Sequence, residues 1–395
     1  MMRHLFKMVW NRKRTNALLI LEIFFSFLVV FVVGTLGIYF WSNYRRPLGF
    51  AWEDVVSVNI DMKQVSDDTH TPEQVATFAR LLREVQALDP VEAVAGSMGV
   101  PFELGTSTGL HEYGGRSIEF DFNEVTQDFD KVMRPDLARG RWFQPADAAL
   151  AWEPLVIDQD LARTAFGDED PVGKLFGDPE RQRRVIGVVR DYRSGGELTG
   201  VRNYLFNLKR AGHPDDRPAR NLLVRLRPGT PAAFEEELIE RLQAVAPEWS
   251  FEARPLWQLR ESAFRLRLTP VIAGAVVAFF LLLMVGLGLL GVLWQNLLQR
   301  TREIGLRRAA GASRAEVHRQ IVLEQLLVTT LGVLLGTALV VQIPVLDLVG
   351  FIRPGVFAGG ILLAMATMYL LTALCVLYPS MMASRIQPAE ALRYE

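Results

Sequence analysis

The 395-residue chain contains one cysteine and five histidines. A single thiol, Cys375, excludes a disulfide within the chain, so each folded part is held by its own core. The histidines are scattered, and neither H-E-x-x-H nor C-x-x-C occurs, which removes the common zinc motifs. A phosphate-cradling loop is also missing. The nearest approach is G-D-E-D-P-V-G-K-L (Gly167–Leu175). It places five residues between its glycines where that loop needs four, and Leu175 stands where a Ser or Thr would hold magnesium. Its three acids, Asp168, Glu169 and Asp170, would repel phosphate as well. The composition therefore implies no metal and no cofactor, and no low-complexity linker interrupts the chain.

Apolar residues, by contrast, make up 50% of the chain. Four runs are long enough to cross about 30 Å of hydrocarbon as helices. They are Ala17–Trp41, Leu268–Leu298, Ile321–Val345 and Val356–Tyr378. The first follows R-K-R and is too long and too aromatic for a cleaved signal peptide, with no small-residue cleavage site after it, so it reads as a retained anchor. Glu22 lies about one and a half turns inside that run, near enough to the edge to snorkel as an interfacial carboxylate. Gly332 and Gly336 form a G-x-x-x-G on the third run, a spacing that permits close helix contact.

Charge is segregated. The segments 1–16, 299–320 and 379–395 together hold 13 basic and 4 acidic residues, whereas 42–267 holds 29 basic and 37 acidic. By the positive-inside rule the three basic segments and both termini are cytoplasmic, and 42–267 lies outside. Arg45 and Arg46, just beyond the first span, run against the rule and are outnumbered. The expected order is a cytoplasmic start (1–16), spans at 17–41, 268–298, 321–345 and 356–378, an inner segment at 299–320, an outer loop at 346–355 and a cytoplasmic tail at 379–395.

The 42–267 domain reads as mixed α/β. The strand candidate Val55–Ile60 precedes a helix opened by Thr71, Pro72 and Gln74, a capping box with proline in the first turn. Val75, Phe78, Leu82 and Val85 mark its apolar face. A strand at Val91–Ser97 follows. The same order recurs as a strand at Asn221–Arg227, a helix from Thr230 carrying Phe234, Leu238, Leu242 and Val245, and a strand around Phe251–Arg254. Two strand–helix–strand units (42–100 and 220–267) flanking a middle insert (100–220) imply two lobes. The insert reads as short strands and turns, with helices at Glu124–Arg134 and Asp158–Phe166. Within it, G-T-S-T-G (Gly105–Gly109) fits the G-x-S-x-G of serine hydrolases, with Ser107 as nucleophile. That chemistry needs a strand, a strained turn and a helix. The sequence that follows is loop-like, and only His111 and His213 lie downstream in the same domain.

The segment T-R-E-I-G-L-R-R-A-A-G-A-S-R-A-E-V (Thr301–Val317) sits between the second and third runs. Gly311 can stop one helix, and Ser313 with Glu316 makes a capping box for the next. A separate helix of about three turns fits between Arg300 and Ala310, with Glu303 four residues before Arg307 as a stabilising pair. A topology-setting loop resting on lipid headgroups would explain the arginines. It would not explain the caps or the apolar Ile304 and Leu306, which suit a helix that docks in a groove of another protein.

The stretch R-E-I-G-L-R-R-A-A-G-A-S is similar to the signature of MacB/FtsX-like ABC transporter permeases. L-A-R-G-R-W-F (Leu137–Phe143), P-L-V-I-D-Q-D-L-A-R-T-A-F-G-D-E-D-P-V-G-K, R-V-I-G-V-V-R-D and the ending I-Q-P-A-E-A-L-R-Y-E (Ile386–Glu395) also resemble that family. The resemblance implies an α-helical inner-membrane protein with four transmembrane helices, an FtsX-like permease part (268–395) and a large two-lobed periplasmic domain between helices 1 and 2. It also implies a second permease subunit (a homodimer or a related paralogue), a separate ABC ATPase subunit carrying ATP and magnesium, and a periplasmic adaptor. Nucleic acid is not among the partners. The coupling segment would be Arg302, Glu303, Ile304, Gly305, Leu306, Arg307, Arg308, Ala309, Ala310, Gly311 and Ala312. Arg307 and Arg308 would contact the ATPase while Ile304 and Leu306 anchor in its groove. MacB itself has an ATPase domain ahead of its first span, whereas 16 residues stand there here, so the ATPase is expected on another polypeptide. Such a device transmits ATP-driven motion outward and is not itself catalytic. The competing readings are a membrane-anchored serine hydrolase using Ser107 and an envelope sensor or scaffold independent of an ATPase.

Overall fold

The computed structural model describes residues 13–63, 70–177, 182–309, 313–346 and 353–384. It separates into a membrane unit (1–42 with 268–395) and an outer unit (43–267). Among the described residues four helices are long and apolar enough to cross a bilayer: Ala17–Tyr44, Leu256–Gln295, Ala315–Pro344 and Pro354–Leu377.

In the outer unit, β1 (Val55–Asp61), α2 (Pro72–Gln86) and β2 (Val91–Ser97) form one strand–helix–strand unit, and β9 (Asn221–Leu226), α5 (Phe234–Val245) and β10 (Ser250–Pro255) form another. The capping box at Thr71 is present: its Oγ1 accepts from Gln74 N at 3.2 Å, and Gln74 Oε1 accepts from Thr71 N at 2.8 Å. The two units interleave in the strand order β10-β1-β9-β2, every neighbour antiparallel. Two βαβ units merged in this way make the ferredoxin-like arrangement. Helices α2 and α5 cover one face, where Phe78, Leu81 and Val85 of α2 and Leu238 and Leu242 of α5 are buried with Val58, Val94, Leu222 and Val224 of the strands.

The insert adds β3 (Ser107–Tyr113), β4 (Arg116–Val125), β5 (Leu137–Gly140), β6 (Pro154–Asp158), β7 (Arg184–Val189) and β8 (Tyr204–Leu208), with short helices α3 (Phe129–Met133) and α4 (Gln159–Phe166). These strands join the same ten-stranded sheet, which continues as β2-β4-β8-β6-β7-β5. The junction is one residue pair, Ser97 with Val125, so the lobes share a sheet at its narrowest point. It is reinforced by side chains: Asn123 Nδ2 donates to Ser97 Oγ at 2.9 Å, and Gly96 N donates to Thr126 Oγ1 at 2.9 Å. A core of Phe129, Trp142, Tyr192, Tyr204, Phe206, Val55 and Leu223 draws on both halves.

Two helix boundaries differ from the sequence reading. Glu124 and Val125 are the last two residues of strand β4, and helix occupies only Phe129–Met133. The run I-E-F-D-F-N-E-V extends β4 with the two-residue side-chain period of a strand, so its apolar and polar residues do not fall on a helical face. The second βαβ helix starts at Phe234 rather than Thr230, because Thr230 closes a turn onto the Arg227 carbonyl at 2.7 Å.

The antiparallel pairing of β1 with β10 has a consequence for the spans. Val56, near the start of β1, faces Pro255 at the end of β10. The chain enters the sheet from the first membrane helix, α1 (Lys13–Tyr44), and leaves it for the second, α6 (Leu256–Ala309). Both connections therefore meet the sheet at the same end of neighbouring strands, which lie about 4.8 Å apart. Buried Arg225 on β9 secures that end by donating to the carbonyls of Ala51 (2.7 Å), Glu53 (2.9 Å) and Val132 (2.6 Å). Its guanidinium has no carboxylate in that set, and burial holds its pKa below the usual arginine range.

Asp158, fully buried, caps α4 through Oδ1, which accepts from Leu161 N (2.8 Å) and Tyr204 N (3.0 Å), while Oδ2 has no hydrogen-bond partner. Burial pushes its pKa up to about 8. A raised carboxylate pKa leaves stability intact below the unfolded value near 4 and removes it as pH rises towards 8. Asp158→Asn keeps an acceptor for both amides and removes the charge. Thermal unfolding should show the variant gaining on the wild type as pH rises from 5 to 9, by on the order of a few kcal/mol. A pH-independent difference would contradict this account of Asp158.

Candidate functional site: the inner segment and the helix packing behind it

The second membrane helix does not stop at the end of its apolar run. One helix, α6, covers all 54 residues from Leu256 to Ala309. The expected separate helix between Arg300 and Ala310 is therefore the last part of α6. The reason is local: Q-N-L-L-Q-R-T-R-E-I contains no proline or glycine, so a change from lipid to water at about Leu298 leaves the backbone ladder intact. At 1.5 Å per residue such a helix is about 80 Å long. Pro270 is its one internal proline, where one ladder bond loses its donor.

Residues Arg302, Glu303, Ile304, Gly305, Leu306, Arg307, Arg308 and Ala309 are helical, and the Leu306 side chain is 62% exposed. Arg302 and Leu306, four apart, share one helical face. Ala310, Gly311 and Ala312 lie outside the described residues. The next helix, α7 (Arg314–Val340), opens on Ser313, whose Oγ accepts from Glu316 N at 3.2 Å while Glu316 Oε2 accepts from Ser313 N at 2.8 Å. Glu316, in the first turn of α7, matches the positive end of that helix's dipole. The described part of the segment is thus a helix carrying an exposed Leu306, followed from Ser313 by a second helix with a complete capping box.

Behind it, α1 packs on α7. Side chains of Ile23 and Phe27 are fully buried, facing glycines of α7. A Cβ on Gly332 would sit 2.7 Å from Ile23 Cγ2, and one on Gly336 would overlap the Phe27 ring. Helix α7 is tied to α9 (Pro354–Ser384) by hydroxyl pairs, Thr329 with Thr372 at 2.8 Å and Thr330 with Tyr369 at 3.0 Å. The Glu22 carboxylate lies against the Gly288 backbone of α6, 2.9 Å from where a Cβ would be, so it packs between spans rather than reaching outward. A short helix, α8 (Gln342–Val345), follows α7.

The hydrolase pattern does not assemble. Ser107 opens strand β3, and G-T-S-T-G runs into a hairpin with β4, not through a turn into a helix. His111 stacks edge-on against Phe176 with ring centres 5.5 Å apart, and His213 lies beside Asp215 and Arg210. The former phosphate-loop candidate begins at Gly167, the C-cap of α4, and continues through the turns after it, where Lys174 pairs with Glu169. Among the described residues no group of three or more His, Cys, Asp or Glu could hold a metal.

Comparison with known proteins agrees with this layout. Residues 17–241 match the MacB-like periplasmic core domain and residues 275–388 the FtsX-like permease C-terminal domain. The chain belongs to the MacB/FtsX-like family of ABC transporter permeases, inner-membrane proteins with a periplasmic domain. The macrolide export ATP-binding/permease protein MacB of Bordetella avium is 26% identical over 355 residues, 87% of this chain and 53% of that protein. The protein of the same name from Agrobacterium fabrum is 29% identical over 280 residues, 68% of this chain and 42% of its own length. The chain thus spans about half the length of these relatives. Among solved structures, the periplasmic region of MacB from Actinobacillus actinomycetemcomitans aligns over 53% of this chain and 92% of its own, with a TM-score of 0.40 and 15% identity. The extracellular domain of YknZ aligns over 50% of this chain and 99% of its own, with a TM-score of 0.36 and 14% identity.

The glycine contacts generate a comparison within one protein. Gly336→Ala should lower the stability of the membrane unit by about 1–3 kcal/mol, the usual penalty for overpacking. Gly291→Ala meets nothing within 4 Å and should be neutral or mildly stabilising, since alanine is the better helix former. Unfolding of the detergent-solubilised chain measures both, and equal effects would rule out close packing at Gly336.

Proposed function

We propose that this chain is the force-transmitting permease subunit of an ABC transporter driven by an ATPase on a separate polypeptide. The ATPase holds ATP and magnesium, docks on Arg302–Ala312 from the cytoplasm, and moves α6. That movement passes to the periplasmic domain and serves efflux or envelope export. Both termini are cytoplasmic, the chain itself is non-catalytic, a second permease subunit completes the transporter, and an adaptor engages the outer domain.

The observation that carries this reading is the continuity of α6 from the end of β10 to Ala309. Bending a helix costs energy wherever its hydrogen bonds are intact, so displacement at one end reaches the other. In the hydrocarbon those bonds have no water to replace them, which stiffens the rod further. No phosphate-binding loop motif occurs in the 395 residues, which fits ATP being held outside them. Basic residues at the end of α6 suit an acidic groove, and an exposed Leu306 suits an apolar pocket within it.

Co-purification of the ATPase tests this. Arg307→Glu with Arg308→Glu should reduce the amount recovered at least tenfold, and Leu306→Asp should do so independently. Undiminished recovery from both would remove the docking assignment. A reporter following Glu395 should score cytoplasmic. One inserted in the hairpin turn at Gly114–Gly115, where both glycines are open to space, should score periplasmic.

A further inference from the structure

Within the outer unit, the loop between β7 and β8 carries D-Y-R-S-G-G-E-L-T-G (Asp191–Gly200). It contains two charged side chains that are almost wholly buried, Arg193 at 2% exposure and Glu197 at 8%. Burying either is costly unless its polar atoms are matched, so both need a structural or functional reason to be there.

Arg193 is matched to backbone. Its Nη1 donates to the carbonyls of Asn43 (2.9 Å) and Arg46 (3.1 Å), and its Nη2 to those of Glu197 (2.5 Å) and Thr199 (2.6 Å). Asn43 is the penultimate residue of α1. The last four carbonyls of a helix have no partner within it and carry the negative end of its dipole. Arg193 therefore caps the outer end of the first membrane helix from a loop 150 residues away in sequence. Its own amide donates to Leu48 O at 3.0 Å, and the backbones approach so closely that a Cβ at Gly49 would overlap the Asp191 carbonyl.

Glu197 faces the other stem. Its Oε1 accepts from Arg260 Nε at 2.5 Å, in the second turn of α6, and the Arg260 guanidinium also lies 4.6 Å from the Trp52 ring centre. The two stems touch directly as well, through Tyr44 and Phe264, with ring centres 6.3 Å apart. The loop is braced rather than slack. Gly196 N donates to Arg193 O (2.9 Å), Thr199 Oγ1 donates to Gly196 O (2.7 Å), and Phe102 N donates to Ser194 O (2.6 Å). Gly196 adopts a positive φ of 92°, the conformation that lets the chain turn back between its two charged residues.

We propose that Arg193, Glu197 and Arg260 form a clamp that fixes the outer stems of membrane helices 1 and 2 to each other and to the insert, making them move as one body. This rests on the force-transmitting reading, which it deepens by naming the residues through which the stems engage the sheet. Arg193 holds the end of α1 by the Asn43 carbonyl and the chain just beyond it by the Arg46 carbonyl, Glu197 holds α6 by a charge-assisted bond, and the three residues of braced loop between them join the two. Without the clamp, a shift of α6 would reach β7 and β8 only through the shared sheet, across its narrow Ser97–Val125 junction.

Hydrogen exchange by mass spectrometry on the full chain in phosphatidylethanolamine–phosphatidylglycerol nanodiscs tests the clamp without an ATPase or nucleotide. Its failure is therefore separate from a failure of docking at Arg307 and Arg308. Glu197→Gln and Arg260→Gln should each speed exchange at least fivefold in residues 43–48 and in 194–199, with β9 unchanged. The double variant should be no faster than either single one, and exchanging the charges with Glu197→Arg and Arg260→Glu should restore part of the protection. A residue important only for local folding would loosen its own segment, so the decisive readout is acceleration in 43–48 caused by a change at Arg260. Unchanged exchange there, or additive effects in the double variant, would overturn the proposal. Arg193→Lys, which keeps the charge but loses the planar fork, should accelerate 43–48 more than the Glu197 variant does; equal protection to wild type would likewise overturn it.

Discussion

The structure depends on one constraint: strand β10 passes into helix α6 without a linker, and that helix keeps its hydrogen bonds to the basic inner segment. Pro255 ends the strand and Leu256, fully buried in the core shared by both lobes, begins the helix. A flexible joint would need a few residues whose backbone bonds could be surrendered to water. None is available between the sheet and the membrane, and within the hydrocarbon surrender is costlier still. Pro270, which lacks the N–H for one ladder bond, lies three residues past Arg267, where the outer unit ends.

Strand pairing turns this rod into a coupled pair. Because β1 and β10 are antiparallel neighbours, the first and second membrane helices connect to the same end of the sheet. Arg225 on β9 then ties down the segment that enters β1 through the Ala51 and Glu53 carbonyls, and α3 through the Val132 carbonyl. The interleaved βαβ order makes those strands central in the covalent path: pulling on either helix loads β1, β9 or β10 along ladders that share force among several hydrogen bonds. The insert is joined by a narrower route, the Ser97–Val125 pair and the loop that meets both stems, and under the proposed function load would pass through these.

Much of this was legible in the sequence because it rests on local chemistry. The capping boxes at Thr71 and Ser313, the βαβ pattern and the four spans depend on residues within a few positions of one another. Three features were not legible, each for its own reason. The continuity of α6 was hidden because hydropathy reports the solvent around a helix, and R-T-R-E-I-G-L-R-R is as helical in water as the preceding run is in lipid. The β4 segment was misread because E-V-T-Q-D-F-D-K-V-M-R also scores as an amphipathic helix, and the strand partners that decide the matter, β3 and β8, lie elsewhere in the chain. Arg193 carried no signal at all: a lone arginine in a glycine-containing loop looks solvated until the fold brings a helix end to it. Coupling residues proposed from family resemblance remain tied to the motif, with Leu306 exposed on the helix where a docking side chain would have to be.

The central claim is that an unbroken α6 carries motion from the inner segment to the periplasmic domain. Inserting Gly-Gly-Ser-Gly between Gln299 and Arg300 breaks the rod while leaving the docking residues in place. With ATPase association verified, ATP-dependent change in hydrogen exchange across residues 194–199 is then measured against the uninterrupted chain. Transmission through α6 predicts that the response to ATP vanishes while the ATPase stays bound. An undiminished response would mean that the motion travels by another route.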